Sequence, residues 1–164
     1  MYQHRIFIYA MARYLWEYKA HNHACPLCAK CQIDPDQSFM LGRTKYFAIT
    51  LNRFPYSKGH LLIFPLAHIA QLNSLNKEAL LELMELSIKA SDILKATLKC
   101  QGVNIGMNIG PRSGASIVDH IHMHIVPRYA SDHESFLTIT AQTRPVMWNM
   151  AKLYEDLKPY FEKI

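Results

Sequence analysis

From residue 120 the chain alternates strictly, with His120, His122 and His124 separated by Ile121 and Met123 and followed by Ile125 and Val126. A β-strand sends successive side chains to opposite faces, so the three imidazoles share one face while Ile121, Met123 and Ile125 enter a core. In a helix each two-residue step would turn the ring by roughly 200° and scatter the three. The pattern predicts a strand that ends at Pro127. Three imidazoles in a row fill an apolar core poorly, so the strand also predicts a site.

The remaining periodicities place the other elements around it. Lys45–Leu51 reads as a strand and Leu61–Phe64 as a second, antiparallel one, joined by a turn through Pro55, Lys58 and Gly59. Asn76 offers an N-cap, with Glu78 in the first turn, for a helix from Lys77 to about Lys99 that Gly102 stops. Leu80, Met84 and Ile88 mark its apolar face, continued by Leu94 and Leu98, with Glu82, Glu85, Lys89 and Lys95 in solvent. Val103–Ile109 reads as a third strand, with Gly106 and Gly110 as signs of close backbone approach. Phe136–Thr140 reads as a further strand. Pro145 opens a C-terminal helix through Tyr154, weakened or ended near Pro159. Residues 1–24 carry Tyr9, Tyr14, Trp16 and Tyr18 at partly helical spacing and read as a packing arm. Strands with one long inserted helix predict an α+β domain on an antiparallel sheet of about five strands.

Composition narrows the partners. The 164 residues suit one domain with a real core, and the net charge of +5 fits an anionic ligand. The bias is too mild to demand nucleic acid, and no clustered basic stripe accompanies it. No apolar run is long enough to span a bilayer. The segment from Met1 to Arg13 faintly mimics a signal peptide, but its apolar stretch is short and is followed by Glu17 and Lys19 without a clean cleavage site. The expectation is a mature cytoplasmic protein.

Cys25, Cys28 and Cys31 are bunched in one loop and Cys100 stands apart, a distribution that suits a metal better than a disulfide framework. Cys25-Pro26-Leu27-Cys28 forms a knuckle able to offer two thiolates to one tetrahedral ion. A redox pair is the rival, without the βαβ surroundings such pairs have. Cys31 is a third sulfur or a bystander, and bystander is preferred because histidines lie downstream. His4, His21, His23 and His133 read as surface or loop residues, His23 being nearest the knuckle.

The histidine strand carries chemistry of its own. An imidazole with an ordinary pKa of ~6.5 is largely neutral near pH 7 and nucleophilic without a separate base. It can attack phosphorus and form a covalent intermediate, splitting a hard displacement into two steps. Flanking imidazoles can hold phosphate oxygens or the departing group, and the small-residue loop Pro111–Ser116 offers backbone N–H groups for phosphate. Three imidazoles as a catalytic metal site is the competing reading. Gly102, Gly106 and Gly110 do not form a dinucleotide fingerprint, because they open no helix.

His120–Val126, together with Asn52-x-x-Pro55-x-x-x-Gly59-His60 upstream and Pro127-Arg128 after it, resembles the signature of the histidine triad (HIT) family, from Cys25 onward. The resemblance implies a HIT-like fold and a nucleotidyl hydrolase or transferase that cleaves diadenosine polyphosphates or related nucleotide conjugates. By its pattern His122 is the nucleophile, His124 contacts the phosphate or leaving group, and His60 supports the nucleophile's region. Asn52 lies near the nucleoside, and Asn108, Gly114 and Ser116 surround the phosphate. Some bacterial members and the galactose-phosphate uridylyltransferases hold a structural zinc, which implies Cys25, Cys28, His68 and His120 as ligands here. Relatives are homodimers. Many members carry a glutamine where Ser116 stands, so this version looks more like the bacterial diadenosine-tetraphosphate phosphorylase-like branch. The alternatives are a purine-nucleoside phosphoramidase and a zinc-containing nucleotide-binding protein with little catalysis.

Overall fold

The computed structural model describes residues 25–113, 115–130 and 149–162. Through them run α1 (Pro26–Lys30), α2 (Pro35–Ser38), β1 (Met40–Arg43), β2 (Phe47–Leu51), β3 (Leu61–Pro65), a 3-10 turn at Leu72–Ser74, α3 (Lys77–Leu98), β4 (Gly102–Met107), β5 (Met123–Arg128) and α4 (Met150–Phe161). The five strands form one antiparallel sheet in the order β1-β2-β3-β5-β4, the α+β class the sequence predicts. None of the described helices is long and apolar enough to cross a membrane.

Every residue of β2 and β3 is buried, because both faces of the sheet centre are covered. Phe47, Ile49, Leu51, Leu61, Ile63 and Ile125 face α3 and α4 and form the main core with Leu83, Leu94, Leu157 and Phe161. The alternate residues Ala48, Leu62 and Phe64 face the other way and pack against Cys25, Leu27 and Met40. The cysteine knuckle therefore sits on the sheet face opposite the long helix.

Several elements depart from the expectation, each for a local reason. The helix α3 buries Ala79, Leu83, Leu86, Ser87, Ala90, Ser91 and Leu94, while Met84 and Ile88 are 48% and 56% exposed. Small residues let the helix lie close to the sheet, and the buried hydroxyls of Ser87 and Ser91 donate to the carbonyls of Leu83 and Ser87, both at 2.7 Å. Of the expected stripe, Leu94 and Leu98 do pack into the core, whereas Met84 and Ile88 lie off the inward face. Glu82 is not free in solvent, since it accepts from the Tyr46 backbone and the Thr44 hydroxyl. Lys99 in the left-handed conformation (φ 55°) ends α3, so Gly102 begins β4 instead of capping the helix.

The histidine strand is shorter than its alternation. Pairing with β3 stops at Ile63–Met123, so His120 and His122 precede β5, which runs through Pro127 to Arg128. Beyond that pair the connection is a single bond from the Ile121 N–H to the Ile69 carbonyl. The β2 strand starts at Phe47 and not Lys45, and β4 ends at Met107 and not Ile109. The short strand β1, interrupted by a register shift at Gly42, was not anticipated. Asn149 caps α4 by accepting from the N–H groups of Ala151 and Lys152, and the helix continues past Tyr154 through Pro159 to Phe161. Burial of Leu157 and Phe161 holds the turn from which Pro159 removes a hydrogen bond. The expected arm at 1–24, the strand at Phe136–Thr140 and the Pro145 helix start lie outside the described residues.

The hairpin between β2 and β3 is locked onto the helix end. Gly59 has φ +83°, and a Cβ there would run into the side chains of Leu98 and Leu94. Gly59→Ala should therefore lower stability by about 2 kcal/mol or more, through backbone strain and overpacking together. Gly106→Ala, whose Cβ would meet nothing within 4 Å, is the control, expected to shift the denaturant midpoint little. Equal midpoints for the two variants would contradict the packing described.

Candidate active site

Two clusters meet at the start of β5. In the first, backbone groups fix which nitrogen of each ring carries its proton. Tyr56 donates its backbone N–H to His60 Nδ1 at 3.0 Å, so that nitrogen is an acceptor. The Asn52 side-chain amide lies 3.3 Å from the same atom. Burial, assisted by the neighbouring His124 and His122, pushes His60 down to about 3, so the ring is neutral and its proton is on Nε2. His60 Nε2 stands 2.9 Å from His124 Nδ1, which must accept. Burial, with His122 adding to it, lowers His124 to about 4. His124 therefore carries its proton on Nε2, and this buried N–H has no partner among the described residues.

His122 has the opposite polarity. Its Nδ1 lies 3.0 Å from the His120 carbonyl, which can only accept, so Nδ1 donates and Nε2 keeps a lone pair. Burial lowers its pKa, against the pull of that carbonyl, and favours the neutral nucleophilic ring. The His122 and His124 rings are 4.9 Å apart, centre to centre, at 61°. The site thus sets a free imidazole lone pair beside an unpaired imidazole N–H, the combination that attack on a phosphate ester requires.

The second cluster is Cys25, Cys28, His68 and His120, whose ligand atoms all lie within 4.8 Å of one another. His120 donates from Nε2 to the Pro65 carbonyl at 2.8 Å, which turns the Nδ1 lone pair toward Cys25 Sγ at 3.2 Å and Cys28 Sγ at 3.5 Å. His68 Nδ1 is 3.4 Å from Cys28 Sγ. Zinc bonds of about 2.3 Å to sulfur and 2.0–2.1 Å to nitrogen put the S···N edge of a tetrahedron near 3.6 Å, so the four residues fit the ion. Burial, the largest cause, drives Cys25 up to about 11, which leaves an uncompensated thiolate disfavoured; a divalent cation would reverse that. Burial also keeps His120 neutral, as a ligand must be. The Pro65 carbonyl is the outer partner that orients the ring.

The structure thus brings together His122, His124, His60 and Asn52, and separately the four Cys/His residues. His120 belongs to both through its ring and its carbonyl. Asn52 is engaged within the hairpin, since its Oδ1 accepts from the Phe54 N–H at 3.0 Å. Asn108 follows Met107, the last residue of β4 and the partner of Met123. Ser116 is exposed, four residues before His120, and Gly114 lies outside the described residues. Cys31 is not one of the four clustered residues. Tyr56 was missed. Its ring packs 4.7 Å from His60 and 5.7 Å from His124, nearly parallel to the latter at 18°. Its only sequence signal is its place four residues before His60.

Comparison with known proteins shows the family. The HIT domain model matches residues 35–131. A protein named AP-4-A phosphorylase from Mycobacterium tuberculosis is 31% identical over 115 residues, 70% of this chain. The chain spans 58% of that protein's length. The asymmetrical bis(5'-nucleosyl)-tetraphosphatase of Schizosaccharomyces pombe is 28% identical over 73% of this chain and 65% of its own. Among solved structures, a Zn-bound histidine triad family protein from Mycobacterium smegmatis superposes with a TM-score of 0.67 at 23% identity, covering 85% of this chain and 94% of its own. With the triad, the hairpin and the sheet in place, the chain belongs to the HIT domain family.

Proposed function

We propose that the protein is a nucleotidyl hydrolase or transferase that cleaves dinucleoside polyphosphates through a nucleotidyl-histidine on His122. The observation that carries this reading is the opposed polarity of two neighbouring rings, a lone pair on His122 Nε2 and an unpartnered N–H on His124 Nε2. His122 Nε2 attacks the α-phosphorus. A P–N bond forms, and the bond to the departing polyphosphate breaks with its electron pair leaving on oxygen. His124 Nε2–H donates to the oxygen on which charge builds. The modified His122 becomes a cation, with its Nδ1–H still bonded to the His120 carbonyl. Water or inorganic phosphate then attacks phosphorus, and the P–N pair returns to Nε2. Asn108, Gly114 and Ser116 are assigned to the phosphate and Asn52 to the nucleoside by their places in the family pattern. The names of the relatives support the substrate class.

The same reading gives Cys25, Cys28, His68 and His120 a structural zinc and pairs the chain into a homodimer. Among the described strands β4 lies at an edge of the sheet with Ile105 exposed, and Leu81, Met84 and Ile88 form an exposed apolar stripe on α3, both of which suit a second copy. The expected compartment is the cytoplasm.

His122→Ala should fold normally and lose turnover of diadenosine tetraphosphate by at least about a thousandfold; retained turnover would remove His122 from its role. Products of the wild type, separated with and without inorganic phosphate, decide the acceptor. ADP plus ATP only with phosphate identifies a phosphorylase, and AMP plus ATP regardless identifies a hydrolase. Absence of turnover, with hydrolysis of adenosine phosphoramidate instead, identifies the phosphoramidase.

Elemental analysis should find about one zinc per chain, lost in Cys25→Ser together with thermal stability. A metal-free wild type of equal stability would refute the zinc assignment.

Stability should also depend on acid. His60 and His124 are held below their ordinary value in the folded state, so the unfolded chain binds more protons as pH falls. Their contribution is full above about pH 6.5 and declines as pH falls toward about 4 and then 3. The denaturant midpoint should drop across this window in the wild type and more shallowly in His60→Gln. Identical slopes would mean that His60 is not held neutral as described.

A further inference from the structure

We propose that the Tyr56 ring is the stacking platform for the base of the departing nucleotide, and so determines specificity for leaving groups that carry a base. The inference rests on the reading of His122 and His124 given above. Three observations place the ring. Pro55 fixes the chain before it, and the Tyr56 N–H is anchored to His60 Nδ1 at 3.0 Å, so the backbone that carries the ring is held by the site itself. One side of the ring rests on His60 and runs nearly parallel to His124. Yet the residue is 52% exposed, which leaves aromatic surface open beside the buried His60 and the half-buried His124.

The unpartnered N–H of His124 marks where the charged oxygen binds, and Tyr56 is the aromatic side chain stacked on that same ring. A group attached to that oxygen departs past the Tyr56 ring. Every base has a π-face and stacks on an aromatic surface whatever its sequence of hydrogen-bonding groups. A dinucleoside polyphosphate brings such a base on its departing half, whereas a bare polyphosphate or an amine brings none. An exposed ring at this place separates those substrates without touching the nucleotidyl half that His122 receives.

The test compares two substrates that share the adenylyl half and differ only in the second adenosine, namely diadenosine tetraphosphate and adenosine 5'-tetraphosphate. The readout is the ratio of kcat/KM for the first over the second. Loss of support for His124 would lower both rates and cancel in the ratio, so a packing role leaves it unmoved. Tyr56→Ala should lower the ratio by about tenfold, mainly through KM for the dinucleotide, while Tyr56→Phe and Tyr56→Trp keep it near the wild-type value. A ratio unchanged in Tyr56→Ala overturns the proposal. If the wild type turns over neither substrate, the enzymatic reading fails, and the stacking is judged by binding of the same two compounds: a Tyr56→Ala loss confined to diadenosine tetraphosphate supports it, and equal affinities in wild type and variant overturn it.

Discussion

His120 is held at three points, and the rest of the site follows from them. Its ring Nε2–H is fixed to the Pro65 carbonyl at the end of β3, its Nδ1 lone pair faces the two cysteines, and its own carbonyl holds the proton of His122 in place. None of these groups has another polarity available, since a carbonyl only accepts. The backbone carbonyl of the same residue sets the lone pair of the next catalytic candidate, two residues along. The knuckle and the site are one arrangement, because the side chain that faces the cysteines belongs to the residue whose backbone selects the tautomer of His122.

The second fixed point comes from the hairpin. A backbone N–H at Tyr56 decides the tautomer of His60, and through it that of His124. Burial supports both assignments by keeping the rings neutral near pH 7, so neither takes an extra proton there. The two ends of the relay are thus set by peptide groups, which do not titrate. Gly59 matters here because its turn brings the hairpin down onto Leu94 and Leu98 and keeps Tyr56 and His60 in register with β5.

The sequence made the sheet and the triad legible because alternation over β5 and the buried runs of β2 and β3 are strong signals. It misplaced part of the inward face of α3, where Ala79, Ser87, Ala90 and Ser91 pack beside Leu83, Leu86 and Leu94 while Met84 and Ile88 point outward. Hydropathy alone cannot foresee a serine whose hydroxyl is satisfied by the preceding turn. The four Cys/His residues were found through family pattern, and their convergence rests on long-range pairing that no local spacing encodes. The tautomers were beyond the sequence altogether, since they depend on carbonyls of Pro65 and His120 and on one peptide N–H. Tyr56 was hidden for a related reason, as an aromatic residue in a turn carries no periodicity.

The contact between Cys25 and His120 joins residues 95 apart in the chain. The segment between them contains β1 to β4 and the whole of α3. A cation shared by these two residues, held by the folded chain and released on unfolding, would add its binding free energy to that of folding. Its effect would be topological as well as local, because it would bind the first described residue of the chain to the entrance of the last strand of the described sheet. Occupancy of that small cluster would then bear on the stability of every element between its ends, well away from the atoms it touches.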